Sequence, residues 1–242
     1  MEHGSRCITL PVAAYSDAMR ILALDSALAR ARVGVVVDDE LRAARAGEGG
    51  RGEAERLPGL VTAALAEAGV APLALDLVAV TLGPGSFTGI RAALALAQGI
   101  GLGSGIPVVG VTVGEAIAHS LPNLGGRILW VATDSRRGRV FVERGPAAPG
   151  AEPEAFALDA LPPLTAPVAL AGDAGAEVAS RLAARDLPVM LTDARYPLPR
   201  HIALAALERH RGELPPRLLR AVYVDPPEAK PPAGGLRPPP AG

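Results

Sequence analysis

The sequence predicts an α/β protein with mixed sheets, in which a second segment follows the first. Short β-rich runs near the N-terminus are spaced as an antiparallel meander. An apolar strand, a glycine turn and an apolar helix then make a β-turn-α-β unit, and a second hairpin opens after residue 127. Alternation with a period of two marks the strands, and apolar spacing near 3.6 marks the helices.

Residues 1–18 (MEHGSRCITLPVAAYSDA) lack the continuous apolar run of a secretory signal and read as a disordered N-terminal extension. Residues 21–25 (ILALD) and 33–38 (VGVVVD) are strands, and 41–46 is a candidate third. From Glu53, the positions Leu57, Leu60, Val61, Ala64, Leu65 and Ala68 fall on one helical face, with Gly69 as the C-cap. Pro58 lacks an N–H, so it either starts the regular part of this helix or kinks it. Residues 76–82 (DLVAVTL) read as a buried parallel strand, followed by the turn GPG, a helix over 86–103 and a strand at 107–111. A short helix opens at Glu115, and LPNLGG links to a hairpin made of ILWVATD and RVFVE. Beyond it the chain is broken by proline and weakly patterned, apart from ALAGD at 169–173 and a late helix at 199–210. The expected organisation is a first subdomain over 19–122, a smaller second one over 123–224 with a closing helix, and a disordered Pro-rich tail over 225–242.

Composition narrows the chemistry. A chain of 242 residues, 49% hydrophobic and 20% charged, with net charge -1, has enough volume for a core and offers no global electrostatic footprint for nucleic acid. The only lysine is Lys230, in the tail, which argues against Walker, Schiff-base and general-base lysines in an ordered pocket. The single cysteine, Cys7, permits no internal disulfide and fits a reducing, cytoplasmic compartment. His3, His119, His201 and His210 have no HExxH or HxxxH spacing and read as surface or packing residues, so no metal ligand is expected. A peptidase finds no residues to support it.

The stretch from Ala92 to Gly114 carries no charge, but glycines and the breaker GSGIP keep it from being a membrane span. The turn Gly83-Pro84-Gly85-Ser86 lies between a strand and a helix N-terminus, a geometry that presents amides to an anion. Its spacing matches neither G-x-G-x-x-G, nor a Walker loop, nor G-x-S-x-G. The competing reading is structural: Gly83 and Gly85 permit the turn, Ser86 caps the helix and Gly89 lets helix and strand pack closely. The helix itself has two apolar stripes, one through Phe87, Ile90, Leu94 and Ala97 and one through Ala92, Leu96, Gly99 and Gly103. A helix on one side of a sheet needs only one, so the second must meet either the 53–68 helix or another subunit.

In this order, ILALDSA, RGEAERLPGLVTAALAEAGV, VTLGPGSFTGIRAALALAQGIG, GIPVVGVTVGEAIA, ATDSRRGRVFVE, AGDAG and VYVDPPEAKP resemble the blocks of the TsaB family, also called YeaZ. The likeness runs from about residue 19 to 230 and is densest at GPGSFTGIR. It implies an actin/Hsp70/sugar-kinase-like (ASKHA) fold of two subdomains. It also implies a non-catalytic subunit of the complex that forms N6-threonylcarbamoyladenosine in tRNAs reading codons that begin with adenine. In that family the catalytic paralogue is TsaD, which binds a metal ion and nucleotide. The ATPase TsaE joins the complex, and tRNA is reached through it.

The resemblance implies a TsaD-binding surface on the two helices, at Glu53, Arg56, Leu57, Leu60, Phe87, Ile90, Arg91, Leu94 and Gln98, which could self-pair into a homodimer when the chain is alone. No cofactor of its own is implied; ATP and a metal belong to the partners. A vestigial nucleotide site would fall on Asp25, Ser26, Gly83, Gly85 and Ser86, with Asp134 at a second strand end; turn or cap roles compete there. Two departures from the family pattern stand out. Glu53-Ala54 replaces histidine and serine, and Ala27 replaces a serine hydroxyl. Arg136 and Arg137, in the second hairpin turn, are either solvated or phosphate contacts. The alternative function is a small ASKHA-type ATPase or kinase acting alone.

Overall fold

A computed structural model describes residues 18–146, 148 and 151–224. The Pro-rich tail and all of the expected N-terminal extension but Ala18 lie outside the described residues.

Strands β1 (Arg20–Asp25), β2 (Arg32–Val37) and β3 (Glu40–Ala46) form the expected antiparallel meander. Helix α1 (Glu53–Ala68) follows and ends at Gly69 in the left-handed conformation. Pro58 lies inside α1 and does not start it. After a 3-10 turn at Pro72–Ala74 come β4 (Leu77–Thr81), α2 (Phe87–Ser104), β5 (Val108–Val111) and α3 (Val113–Ala118). β4 pairs parallel to both β1 and β5, giving the sheet order β3-β2-β1-β4-β5.

The second sheet contains β6 (Ile128–Asp134), β7 (Arg139–Arg144), β8 (Glu154–Ala157), β9 (Val168–Ala171) and β10 (Val189–Leu191), with α4 (Gly175–Ala183) between the last two. Its order is β10-β9-β6-β7-β8, with β6, β7 and β8 antiparallel and β6, β9 and β10 parallel. Both sheets therefore follow one plan, a three-strand meander extended by two parallel strands. No repeat is visible in the sequence. Two mixed sheets flanked by helices make up the α/β architecture that the sequence predicts.

Strand alternation explains how the layers stack. In β1 and β4, Leu22, Leu24, Val78 and Val80 face α1 and α2, while Ile21, Ala23, Leu77 and Ala79 face the helix α5 (Pro199–His210). In β6 and β9, Trp130, Ala132, Val168 and Leu170 face α4; Leu129, Val131, Ala169 and Ala171 face Ile90, Val113 and Ile117 of the first subdomain. Burial on both faces is why these strands read as continuous apolar runs.

Its place in the chain assigns the closing helix α5 to the second subdomain, but in the structure it covers the first sheet through Ile202, Ala203, Ala205, Ala206 and Leu207. The chain then returns along α2: the Val222 amide donates to the Leu82 carbonyl at 2.8 Å. The physical reason is that the face of the first sheet opposite α1 and α2 would otherwise be open to water.

Candidate functional site

The GPGSFTG turn is held from three sides. The Ser86 amide donates to the Ala27 carbonyl at 2.7 Å, the Val113 amide donates to the Gly83 carbonyl at 2.8 Å, and Ser86 Oγ accepts from the Gly89 amide at 3.2 Å. A Cβ at Gly85, whose φ is 152°, would strike the Ala27 carbonyl; one at Gly89 would strike the Ser26 carbonyl. Close approach to the first hairpin turn thus requires glycine at both positions, in keeping with the structural reading of the motif.

Ser26, Gly85, Ser86, Glu53, Asp134, Arg136 and Arg137 line one cleft of about 670 Å³ between the two subdomains. Asp25 sits behind it, fully buried. Its Oδ1 accepts from Thr81 Oγ1 at 2.6 Å and from the Ala27 amide at 3.0 Å, and Arg32 approaches its other oxygen at 3.9 Å. Burial pushes the Asp25 carboxyl up from its ordinary value, against the opposing pull of those bonds and of Arg32. This aspartate holds the turn. Across the cleft, Asp134 Oδ1 accepts from the Arg136 amide at 2.7 Å, and Asp173 Oδ1 accepts from the Asp134 amide at 3.0 Å.

The helix pair sorts the residues expected to bind a partner. Glu53 is interior: its carboxylate accepts from the Ala31 amide at 2.8 Å and the Gly49 amide at 3.0 Å, pinning α1 to the first hairpin. Leu57 and Ile90 are each 1% exposed and belong to the core. These three side chains are turned inward, toward the sheet, the first hairpin and the other subdomain. Leu60 and Leu94 are half-buried, while Arg56, Phe87, Arg91 and Gln98 are exposed. Arg56 pairs with Glu48 at 2.8 Å.

The outward stripe of α2 runs through Phe87, Arg91, Ala95, Gln98, Gly99 and Leu102, the last 88% exposed. It differs from both stripes read in the sequence. Among the described residues, and apart from the helix's own backbone and the chain neighbours, nothing stands within 4 Å of a Cβ built on Gly59, Gly99 or Gly103.

Sequence reasoning missed the segment 214–224. Tyr223 lies against Phe87 with ring centroids 5.3 Å apart, and its hydroxyl accepts from Arg91 Nε at 2.6 Å. Behind this segment, Arg209 grips the buried Glu115 with two bonds of 2.7 and 3.1 Å, and Arg217 reaches Glu115 at 3.3 Å and Glu152 at 2.8 Å. No sequence spacing links residues so far apart. Among the described residues no cluster of three or more metal-ligating side chains occurs, and no helix is long and apolar enough to cross a membrane.

Across its second subdomain as well as its first, the structure superposes on YeaZ from Pseudomonas aeruginosa with TM-score 0.67 and 25% identity, covering 85% of this chain and 99% of that one. The chain is thus similar to TsaB (YeaZ) proteins in fold. The tRNA threonylcarbamoyladenosine biosynthesis protein TsaB of Escherichia coli is 33% identical over 125 residues, which is 51% of this chain and 53% of that protein. An uncharacterised protein of Mycobacterium tuberculosis is 40% identical over 129 residues, 51% of this chain. The match spans 58% of the mycobacterial protein, so the chain aligns with little more than half the length of these curated relatives. The sequence profile of tRNA N6-adenosine threonylcarbamoyltransferase, TsaD, matches residues 48–145, the stretch that contains both α1 and α2. The TsaB-like helix pair is thus also TsaD-like.

Proposed function

We propose that this chain is a TsaB-type, non-catalytic subunit in the formation of N6-threonylcarbamoyladenosine in tRNA, and that it supports TsaD through the outward face of α1 and α2. The observation that carries the reading is the α2 stripe: Ala95, Gly99 and Leu102 are small or apolar beside the polar Gln98, with open space above Gly99 and Gly103 among the described residues. Small residues let a second helix approach closely, and Leu102 supplies a side chain to bury. The profile match suggests that TsaD carries a related helix pair, so a pseudo-symmetric pairing of like faces is favoured. TsaE and tRNA would join through TsaD, and ATP and a metal would be held by those partners.

The test is light scattering after size-exclusion chromatography of the chain, alone and mixed with TsaD of the same organism. A mixed complex should form, and Leu102→Glu should abolish it while the variant keeps its circular dichroism. A complex that survives Leu102→Glu and Leu94→Glu would place the interface elsewhere. A dimer of the chain alone, lost in the same variants, would mark the same face.

The kinase-like reading retains one observation, the 670 Å³ cleft between two hairpin turns. It expects ATP turnover by the isolated chain that is lost in Asp134→Ala. Asp25→Ala is a poor probe, because Asp25 is buried and holds the first turn.

A further inference from the structure

Between α2 and the returning segment 214–224 lies a groove of about 910 Å³. Leu94, Ala95 and Gln98 form one wall, and Leu218 and Arg220 stand on the other. Leu218 is 68% exposed, the highest fraction among the large hydrophobic side chains of the segment. Four arginines, Arg91, Arg209, Arg217 and Arg220, line the groove against two glutamates, Glu115 and Glu152. Arg209 and Arg217 are committed to those glutamates. Among the described residues, Arg91 and Arg220 have no carboxylate partner. Arg91 spends one donor on Tyr223 and keeps the rest of its guanidinium fork.

We propose that this groove docks an extended acidic segment of the partner protein, with carboxylates on Arg91 and Arg220 and apolar side chains on Leu94 and Leu218. The proposal rests on the association with TsaD put forward above. Charge complementarity selects the occupant: an uncompensated cationic rim beside an apolar wall suits a peptide carrying both acidic and aliphatic residues. The chain's own tail suits it less, since residues 225–242 balance Asp225 and Glu228 with Lys230 and Arg237 and offer only Leu236 as a large aliphatic group. RNA suits it less as well. A single-strand site needs a free aromatic face, and here Tyr223 lies against Phe87, whose ring in turn has Arg91 at 3.7 Å from its centroid.

The experiment places the photo-crosslinker p-benzoylphenylalanine at Leu218 in the full chain, irradiates it with TsaD and tRNA of the same organism, and identifies the products by mass spectrometry. In parallel, Arg220→Glu is titrated with TsaD at low and high salt. Leu218 should crosslink to one TsaD segment containing at least two Asp or Glu residues. Arg220→Glu should weaken binding about fivefold at low salt, with the difference shrinking as salt screens it. Association that is lost in Leu102→Glu but indifferent to Arg220→Glu, with no Leu218 crosslink, overturns the groove and leaves the proposed function standing. Crosslinks to tRNA or to a second copy of the chain also overturn it. No association of any kind brings down both readings.

Discussion

Arg91 and Tyr223, 132 positions apart in the chain, meet in a hydrogen bond of 2.6 Å, with the Arg91 guanidinium 3.7 Å from the Phe87 ring centroid. The bond joins the GPGSFTGIR block to the VYVDPP block, so the C-terminal segment is part of the α2 surface. Tyr223→Phe removes one exposed charge-assisted bond and should cost at most about 1 kcal/mol in urea denaturation. The more sensitive readout is hydrogen exchange, which should quicken across residues 214–224 while α2 stays protected. Unchanged exchange there would mean that the Val222 and Arg217 contacts alone hold the segment.

Ile90 and Leu94 sit one helical turn apart, with opposite consequences. Ile90→Glu buries a carboxylate in the junction between the subdomains and should destabilise the fold by several kcal/mol, seen as a large drop in Tm. Leu94→Glu, at a half-buried position, should leave the chain folded and lose the TsaD complex. A folded Ile90→Glu protein would refute the placement of α2.

Arg209 should be the most costly single arginine to remove. It holds Glu115, the residue that caps α3 by accepting from the Thr112 amide at 2.7 Å, and it also donates to the Gly110 carbonyl at 2.8 Å. Arg209→Ala leaves a buried carboxylate with Arg217 alone and should cost about 3–5 kcal/mol. The double variant Glu115→Gln/Arg209→Ala should recover part of that loss. Strict additivity in the double-mutant cycle would show that the pair does not act as a unit.

Glu143 makes stability depend on pH. It is fully buried, and its Oε1 accepts from the Gly114 amide at 2.7 Å. Burial pushes its carboxyl up to about 8 from 4.5; the nearby Thr112 hydroxyl, the Gly114 amide and Arg217 oppose the shift, and Glu115 adds to it. Below pH 4.5 the group is protonated in both states. Between 4.5 and about 8 the unfolded chain ionises while the folded chain holds its proton. Folding stability should therefore fall as pH rises through this window, by at most about 1.4 kcal/mol per unit, and then level off. Glu143→Gln should flatten this slope in urea melts taken from pH 5 to 9. An unchanged slope would mean that Glu143 is already ionised at neutral pH.

Much of the molecule was legible in one dimension. The meander, α1 with its Gly69 cap, the β4-α2-β5 unit and the second hairpin each follow from local periodicity and turn chemistry. Strands β8 and β10, of four and three residues, escaped notice because runs so short carry no period. Helix α4 was hidden in the proline-broken region. Among the expected partner-binding residues, Arg56, Phe87, Arg91 and Gln98 stand on the surface, whereas Glu53, Leu57 and Ile90 are interior.

The sequence by itself determined the resemblance to the TsaB blocks, the order of elements in the first subdomain and the surplus apolar character of α2, because these depend on residue type and spacing along the chain. Only the tertiary structure decided which side of α2 faces out, that α5 covers the first sheet, and that Tyr223 returns to Arg91. A helix apolar on two sides does not say which side its own sheet will take. That choice is made by the shape of neighbours far away in the chain, here the Ser26 and Ala27 carbonyls, against which only glycine fits.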